Sequence, residues 1–423
     1  MAKQTHQRAI LVYADWIGLG QPTPMGTLYS IHSRGKEIFS FEYNEDWLKA
    51  SSQHLDPDLH LYSGQQYLSE GKSNFGIFLD SSPDRWGRVL MDRREAVLAR
   101  TEGRKAQTLF ETDYLLGVFD GHRMGALRFK ENEGGDFLNN NREMASPPWT
   151  SIRELEEASL RLEDDDVDDT LKMKWLNMLM APGSSLGGAR PKASVLDSKG
   201  NLWIVKFPSR NDNRDIGAWE MVVHELATKA GLNIAEGMTG MFYSKQHTFL
   251  TKRFDRTTKG GRIHFASAMT LLGYNDGADH TAGVSYLELV EFITRHGARV
   301  REDLEELWRR IVFYICVSNT DDHLRNHGFL LTHKGWILSP AYDINPVETG
   351  TGLSLNISEN DNALDLDLAK EVAPYFRIST KRAEEILELV KKSVRGWREE
   401  AEKRGISKDE RDLMARAFRL IDL

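Results

Sequence analysis

The chain has 423 residues, 40% of them hydrophobic and 28% charged, with a formal net charge of −8 and a pI near 6.0. That balance suits a folded chain of two or three domains, and the acidic excess argues against extensive nucleic-acid binding by the chain alone, while leaving DNA contact through a basic partner open. A single cysteine, Cys316, excludes an internal disulfide; no apolar run is long enough to span a bilayer, and the polar start from Met1 to Arg8 lacks a signal-peptide core, so a cytoplasmic location is expected.

Residues 1–145 read as a mixed α/β region. Ala9 to Tyr13 has the pattern of a strand, and Thr27–Ile31 and Glu37–Tyr43 alternate about Ser33-Arg-Gly35 as a hairpin. Ser82-Pro83-Asp84 opens a helix that runs to Arg100, with serine as N-cap and proline at the first helical position. Residues 131–149, rich in Asn, Gly, Glu and Pro, read as a linker or long surface loop. A helix over Ser151–Leu162 follows, ending in the acidic run Glu163-Asp-Asp-Asp166, which is expected to be a solvated helix end. Nothing in this part carries recognisable chemistry, so support or partner docking is its expected role.

The glycine-rich stretch Gly183-Ser-Ser-Leu-Gly-Gly-Ala-Arg-Pro-Lys192 comes next. It has two glycines at Walker spacing, but Ala189-Arg190 stands where Lys-Ser/Thr would be, so it is not a Walker loop. Two readings stay open: a turn before a strand, or a loop whose backbone N–H groups converge on phosphate. Lys192–Leu196 and Leu202–Phe207 then form a hairpin across Asp197-Ser-Lys-Gly200. Lys206 shares one strand face with Leu202 and Ile204, where a lysine either holds nucleotide phosphates or snorkels to water at the strand end. Residues 216–230 form an amphipathic helix, and a partner glutamate for Lys206 is available from it. Glu220 lies at the flank of the apolar face and is the better candidate; Glu225 is expected to be solvated. Phe249 to Arg256, containing Lys252 and Phe254, reads as a strand entering a connector whose backbone would meet adenine.

Beyond the connector the chain turns mostly helical. Ser285-Tyr-Leu-Glu288 is a capping box, and Leu304, Leu307, Trp308, Ile311, Val312 and Ile315 mark a helix that delivers Asn319-Thr-Asp-Asp-His-Leu-Arg-Asn326. Gly328–Leu331 and Trp336–Leu338 form a hairpin about His333-Lys-Gly335, and Ser339-Pro-Ala-Tyr-Asp-Ile-Asn345 follows. Lys381–Arg404 and Ser407–Leu420 read as two closing helices. Phosphoryl transfer from a nucleotide needs a carboxylate to receive the proton of the attacking hydroxyl. It also needs an amide and a second carboxylate to hold magnesium. Asp321, Asn326 and Asp343 supply these types in the order that protein kinases use. The alternative for each is a capping or turn residue, which clusters at helix ends for other reasons.

Five stretches in sequence order carry a family resemblance: Ser185-Leu-Gly-Gly-Ala-Arg-Pro-Lys192, Ile204-Val-Lys-Phe-Pro208, Lys252-Arg-Phe-Asp-Arg256, Thr320-Asp-Asp-His-Leu-Arg-Asn326 and Ser339-Pro-Ala-Tyr-Asp343. Together they resemble the HipA-like toxin kinases, the toxin halves of bacterial toxin–antitoxin pairs. The Asp84-Arg-Trp-Gly87 helix start resembles that family's N-terminal subdomain. The resemblance implies an α+β, bilobed protein-kinase-like fold with an extra N-terminal mixed α/β subdomain and a mostly helical C-terminal lobe. It divides the chain into 1–145, an N-lobe-like part 146–256 and a helical C-lobe 257–423. It implies a serine/threonine protein kinase that uses ATP and Mg2+, with Asp321 as catalytic base and Asn326 and Asp343 as metal ligands. Lys206 would hold phosphate with Glu220 beside it. The nucleotide would also be bound by Ser185, Gly187, Gly188, Ala189 and Lys192 of the loop and by Lys252, Phe254 and His323. Autophosphorylation would fall on Ser185 or the adjacent Ser184, adding about −1.5 to −2 charge where ATP phosphates belong.

The implied partners are a small HipB-like DNA-binding antitoxin and a protein substrate, for which the family's best-known example is a glutamyl-tRNA synthetase; DNA would be met only through the antitoxin. Three departures stand out. Arg190-Pro191 replaces a more polar pair, and Lys252 stands where an acidic residue is expected. His323 and His327 also have zinc-like spacing with no evident third ligand, so His323 is expected to brace the loop by hydrogen bonding. Two other functions fit parts of the pattern: a small-molecule phosphotransferase on a related fold, and a catalytically silent module that binds an antitoxin–DNA complex.

Overall fold

The structure, a computed structural model, describes residues 7–33, 35–142, 145–163, 168–180, 188 and 190–422. The chain divides into two compact units, Met1–Val205 with Asp255–Ala266, and Lys206–Phe254 with Ser267–Leu423.

The first unit is built on a five-stranded sheet. Its strands are β1 (Gln7–Ala14), β2 (Thr23–Ser33), β3 (Lys36–Tyr43), β4 (Gln66–Tyr67) and β5 (Leu127–Lys130), in the order β4-β3-β2-β1-β5. Period-two alternation sets its register: Ile10, Val12 and Ala14 are wholly buried on one face of β1. The β2–β3 hairpin closes with Ser33 opposite Lys36, as the turn composition predicts. The unit's helices are α1 (Glu45–Ala50), α2 (Gly76–Asp80), α3 (Arg85–Thr101), α4 (Glu111–Gly117), α5 (Ile152–Leu162) and α6 (Asp169–Met180), with α6 packed on α3 and α5. The start of α3 differs from the sequence expectation. Asp84, not Ser82, is its N-cap, accepting from the Gly87 N–H at 2.9 Å. Ser82 instead donates its hydroxyl to the Phe78 carbonyl, because the chain is still turning out of α2 there. The stretch 131–149 is partly tied down, with Leu138 bridged to Phe129 and Pro148 to Leu196. β6 (Lys192–Leu196) and β7 (Leu202–Lys206) are neighbouring strands.

The second unit takes over at Lys206. It contains α7 (Ile216–Lys229), the antiparallel pair β8 (Gly237–Gly240) and β9 (Thr248–Lys252), and, after β10 (Phe265–Ser267) and α8 (Ala268–Leu272), the long helices α9 (Tyr286–His296) and α10 (Val300–Val317). The capping box opens α9 as read, Ser285 and Glu288 bonding reciprocally. In α10 all six residues of the predicted apolar stripe are wholly buried, so the helix is a core strut rather than a surface element. A hairpin of β11 (Gly328–Thr332) and β12 (Gly335–Leu338) follows, with Thr332 opposite Gly335. α11 (Leu366–Val372) precedes the closing helices. The stretch read as one helix over Lys381–Arg404 breaks at Gly396 into α12 (Thr380–Arg395) and α13 (Trp397–Lys403). Beyond it, Ser407 caps the seven-residue α14 (Lys408–Met414), and tighter 3-10 turns carry the chain on to Asp422. No helix among the described residues is long and apolar enough to cross a membrane.

Candidate active site

Lys206 ends β7 and, despite the Phe207-Pro208 that stops the strand, does not reach out to water; it is 7% exposed. Its Nζ donates to Glu220 Oε1 at 2.5 Å and to Asp343 Oδ1 at 2.6 Å. Burial works against the ammonium, but the Asp343 and Glu220 carboxylates outweigh it and hold its pKa above the ordinary lysine value. Glu220 reaches it from α7, where it is buried as the helical period predicts. Glu225 is not simply solvated: it accepts a bond from Arg404 Nη2 at 3.2 Å, since α13 packs over that face.

α10 delivers the 319–326 loop through a sharp exit. Ser318 has φ of 49°, its N–H capping Ile315 and Tyr314 and its hydroxyl donating to the Ala417 carbonyl. The loop is then fastened to the segment that follows the hairpin. The buried Asn319 side chain accepts the Asn345 N–H at 3.0 Å, and the Thr320 carbonyl accepts the Ser354 hydroxyl at 2.8 Å. Asp321 is exposed, with its carboxyl pKa raised by desolvation first, lowered by His323 and raised by Asp343. Asn326 is buried and donates its Nδ2 to the Asp321 carbonyl at 2.8 Å, while its Oδ1 has no hydrogen-bond partner among the described residues. Asp343 itself has φ of 57°, left-handed backbone that side-chain-bearing residues rarely adopt. Among the described residues three non-glycine residues have positive φ, and two of them, Ser318 and Asp343, flank this loop. Strain concentrated in this way is a mark of functional sites.

The residues that sequence reasoning missed are the ones that hold the loop still. Asp322 is fully buried; its Oδ1 accepts the Ser354 N–H at 3.0 Å, and its Oδ2 lies 3.9 Å from His327 Nε2. Burial pushes the Asp322 carboxyl well up and takes His327 down to about 3, favouring the uncharged form of both. Sequence offered only two adjacent aspartates, with no signal as to which one faces inward. His323 does not brace the loop through its ring, whose Nδ1 has no partner among the described residues; its carbonyl does so instead, accepting the Asn326 N–H at 2.8 Å.

The connector residues lie differently. Lys252 pairs with Glu236 at 3.3 Å as a largely solvated ion pair. The Phe254 ring packs on Tyr342 at 5.6 Å between centroids, and Tyr342 in turn donates its hydroxyl to the Arg325 carbonyl, joining the connector to the 319–326 loop. In the first unit, Lys192 is 2% exposed and donates to Asp84 Oδ2 at 2.7 Å and to the Gly188 carbonyl at 3.0 Å. The Trp86 indole donates to the Lys192 carbonyl. Gly188 has φ of 68°, which needs glycine. The helix start Asp84-Arg-Trp-Gly87 thus pins the root of the glycine-rich loop, a role its sequence alone did not reveal. Ser184, Ser185, Gly187 and Ala189 lie outside the described residues.

A buried amide oxygen without a partner in the same loop as Asp321, and a carboxylate held in register by Lys206, are oxygen donors of the kind magnesium takes while keeping several waters. Among the described residues no three His, Cys, Asp or Glu side chains converge as a metal cage. The donor set therefore fits a hard cation shared with phosphate better than zinc.

Comparison with known proteins bears on family and fold. The family described as HipA-like C-terminal domain matches residues 184–397, just over half of the chain. A curated Haemophilus influenzae protein described as "Putative kinase" is 26% identical over 180 residues, 38% of this chain and 52% of that protein, so the chain spans about half the length of this relative. A solved structure of the Shewanella oneidensis MR-1 toxin–antitoxin system, HipA and HipB with operator DNA, contains a chain that superposes with a TM-score of 0.62. It is 19% identical, covering 97% of this chain and 95% of that one. The fold is thus α+β and protein-kinase-like, matching HipA over most of the chain. The chain belongs to the HipA-like family.

Proposed function

We propose that this HipA-like chain is an ATP-dependent serine/threonine protein kinase acting as the toxin of a toxin–antitoxin pair. The observation that carries the reading is Lys206 held jointly by Glu220 and Asp343, in one unit with the loop of Asp321 and Asn326. Asp321 presents its carboxylate to take the proton of a serine or threonine hydroxyl. Asn326 and Asp343 offer the oxygens for magnesium, and Lys206 its ammonium to the phosphates, oriented by Glu220. Bound Mg-ATP would supply the phosphoryl group and the charge that these oxygens are arranged to meet. The glycine-rich loop, rooted at Gly188 and Lys192 and including Ser185, Gly187 and Ala189, would cradle phosphates through its backbone. Phe254 and Lys252 would border adenine, with His323 at the loop's edge.

Residues 1–145, 146–256 and 257–423 serve in this reading as N-terminal subdomain, N-lobe-like part and helical lobe. A HipB-like DNA-binding antitoxin is the partner it calls for, since the solved relative is found with HipB and operator DNA and this chain carries a net charge of −8. The substrate is a cellular protein, an aminoacyl-tRNA synthetase such as glutamyl-tRNA synthetase being the first to try. Phosphorylation of Ser185 or Ser184 in the loop would silence the enzyme by placing like charge where the nucleotide's belongs.

The test is intact mass after incubation with Mg-ATP, alongside Asp321→Asn. One added phosphate, mapped to Ser184 or Ser185 and absent from the variant, is expected. ATP binding without any phosphate on this chain or on an offered synthetase, but with turnover of a small-molecule acceptor, would replace the protein-kinase reading.

A further inference from the structure

The Lys206–Glu220 pair depends on where α7 sits, and the structure holds the start of that helix from three directions. At its N-cap, Asp215 accepts from the Ala218 N–H and also from His247, whose Nδ1 is 2.6 Å from Asp215 Oδ2. Gly217 presses on the backbone there, since a Cβ in its place would lie 2.0 Å from the His247 carbonyl oxygen. Just before the helix, Arg214 Nη1 donates to Glu348 Oε2 at 2.5 Å, five residues beyond the Asp343 that also binds Lys206. The third hold comes from the far end of the chain. Glu410, in the first turn of α14, uses one oxygen, Oε1, to accept both the Asp215 N–H at 3.0 Å and the Trp219 indole N–H at 2.7 Å. Trp219 is 1% exposed and packs against Trp397 and Phe418, which stack on each other at 4.4 Å.

Trp219 immediately precedes Glu220, and successive helical residues point about 100° apart. A clamp on the Trp219 side chain and on the N–H of the N-cap residue therefore fixes both the rotation and the axial position of α7, and with them the direction of the Glu220 carboxylate. We propose that Glu410 is a positioning residue: from the C-terminal helix it locks α7 in the register that lets Glu220 hold Lys206. The proposal rests on the kinase reading above and assigns a catalytic consequence to a residue that touches neither nucleotide nor substrate. It also makes α7 a fixed strut, where a helix carrying this glutamate would otherwise be free to swing.

The experiment measures steady-state phosphorylation with varied ATP for wild type, Glu410→Ala, Glu410→Gln and Trp219→Phe, each also in a Glu220→Gln background, with melting temperatures alongside. Wild-type activity comes first; its absence would count against the kinase reading and not against the clamp. Glu410→Ala is expected to lower kcat/KM for ATP by about tenfold or more, the loss of a charge-assisted hydrogen bond. Trp219→Phe, which removes one of the two donors, should lose less. Glu410→Gln keeps an acceptor oxygen and should stay near wild type. In the Glu220→Gln background the Glu410→Ala loss should shrink to within about twofold, because the clamp then has nothing left to aim. An equal loss in both backgrounds, or a lowered melting temperature with unchanged kcat and KM, would overturn the proposal and leave Glu410 a structural residue.

Discussion

Two buried lysines in this chain do different work. Lys192, at the start of β6, is answered by one carboxylate, Asp84, and one carbonyl, Gly188. Lys206, at the end of β7, is answered by two carboxylates, Glu220 and Asp343. One acid for one base is the arrangement that makes a buried pair tolerable; it ties a helix cap to a loop root and asks for nothing more. Two acids on one base bring like charges together, a cost that framework stability gives no reason to bear. The same residue type thus serves as a rivet in one unit and as part of a charged site in the other.

The comparison breaks most visibly if both lysines are removed in turn. Lys206→Met should lower kcat/KM for ATP by about thirty-fold or more, the 2–5 kcal/mol of a truncated buried charge pair. Lys192→Met should instead show its main loss in denaturation, about 3–5 kcal/mol from a buried Asp84 carboxylate deprived of its cation, with a smaller change in KM for ATP. Equal losses of ATP affinity would mean that Lys192, too, meets phosphate. A second, smaller effect sharpens the contrast. Mg-ATP at a hundred times its Kd should stabilise the wild type by about 2.7 kcal/mol. EDTA should remove the magnesium-dependent part, and Asp343→Asn should reduce it; a shift insensitive to both would place the nucleotide elsewhere.

The smallest effect belongs to the framework side. Burial takes His264, stacked on Trp16 in the first unit, down to about 3. A histidine whose folded pKa is depressed leaves the unfolded chain binding the extra proton below about pH 6.5, so its contribution is intact above that pH and is lost as pH falls from there toward 3. Unfolding free energies from urea curves at pH 7 and pH 5 should fall on acidification by up to about 1.4 kcal/mol per pH unit from this group. His264→Phe should flatten that slope; an unchanged slope would show that other groups carry it.

Much of the site could be read from local pattern. Lys206 stood out because a lysine shared a strand face with two apolar residues, Glu220 because of its angle on an amphipathic helix, and Asp321, Asn326 and Asp343 because of their types and spacing around a short hairpin. What stayed hidden depends on distant partners. Sequence shows Asp84 as part of a helix start but not its bond to Lys192 across the first unit, and it shows Ser407–Leu420 as helical but not the bonds of Glu410 to α7. Asp321 is marked by its spacing to Asn326, but the burial of its neighbour Asp322 is not legible, since it is decided by the Ser354 segment packing on the loop. The same holds for the shift of the cap from Ser82 to Asp84, which follows from how α2 ends and not from the residues at the boundary. The split at Gly396 falls on a glycine, a poor helix former, inside a stretch read as continuous.

The backbone at Asp343 limits which residues its turn can accept. At φ of 57° the residues that fit with little strain are glycine, asparagine and aspartate. A change from aspartate to asparagine or glycine would therefore leave the chain's path intact while removing the carboxylate. The chemically closer change to glutamate would keep the charge and strain the turn. On the proposed kinase reading, a single substitution can thus remove the carboxylate offered to magnesium while the turn at Asp343 keeps its path.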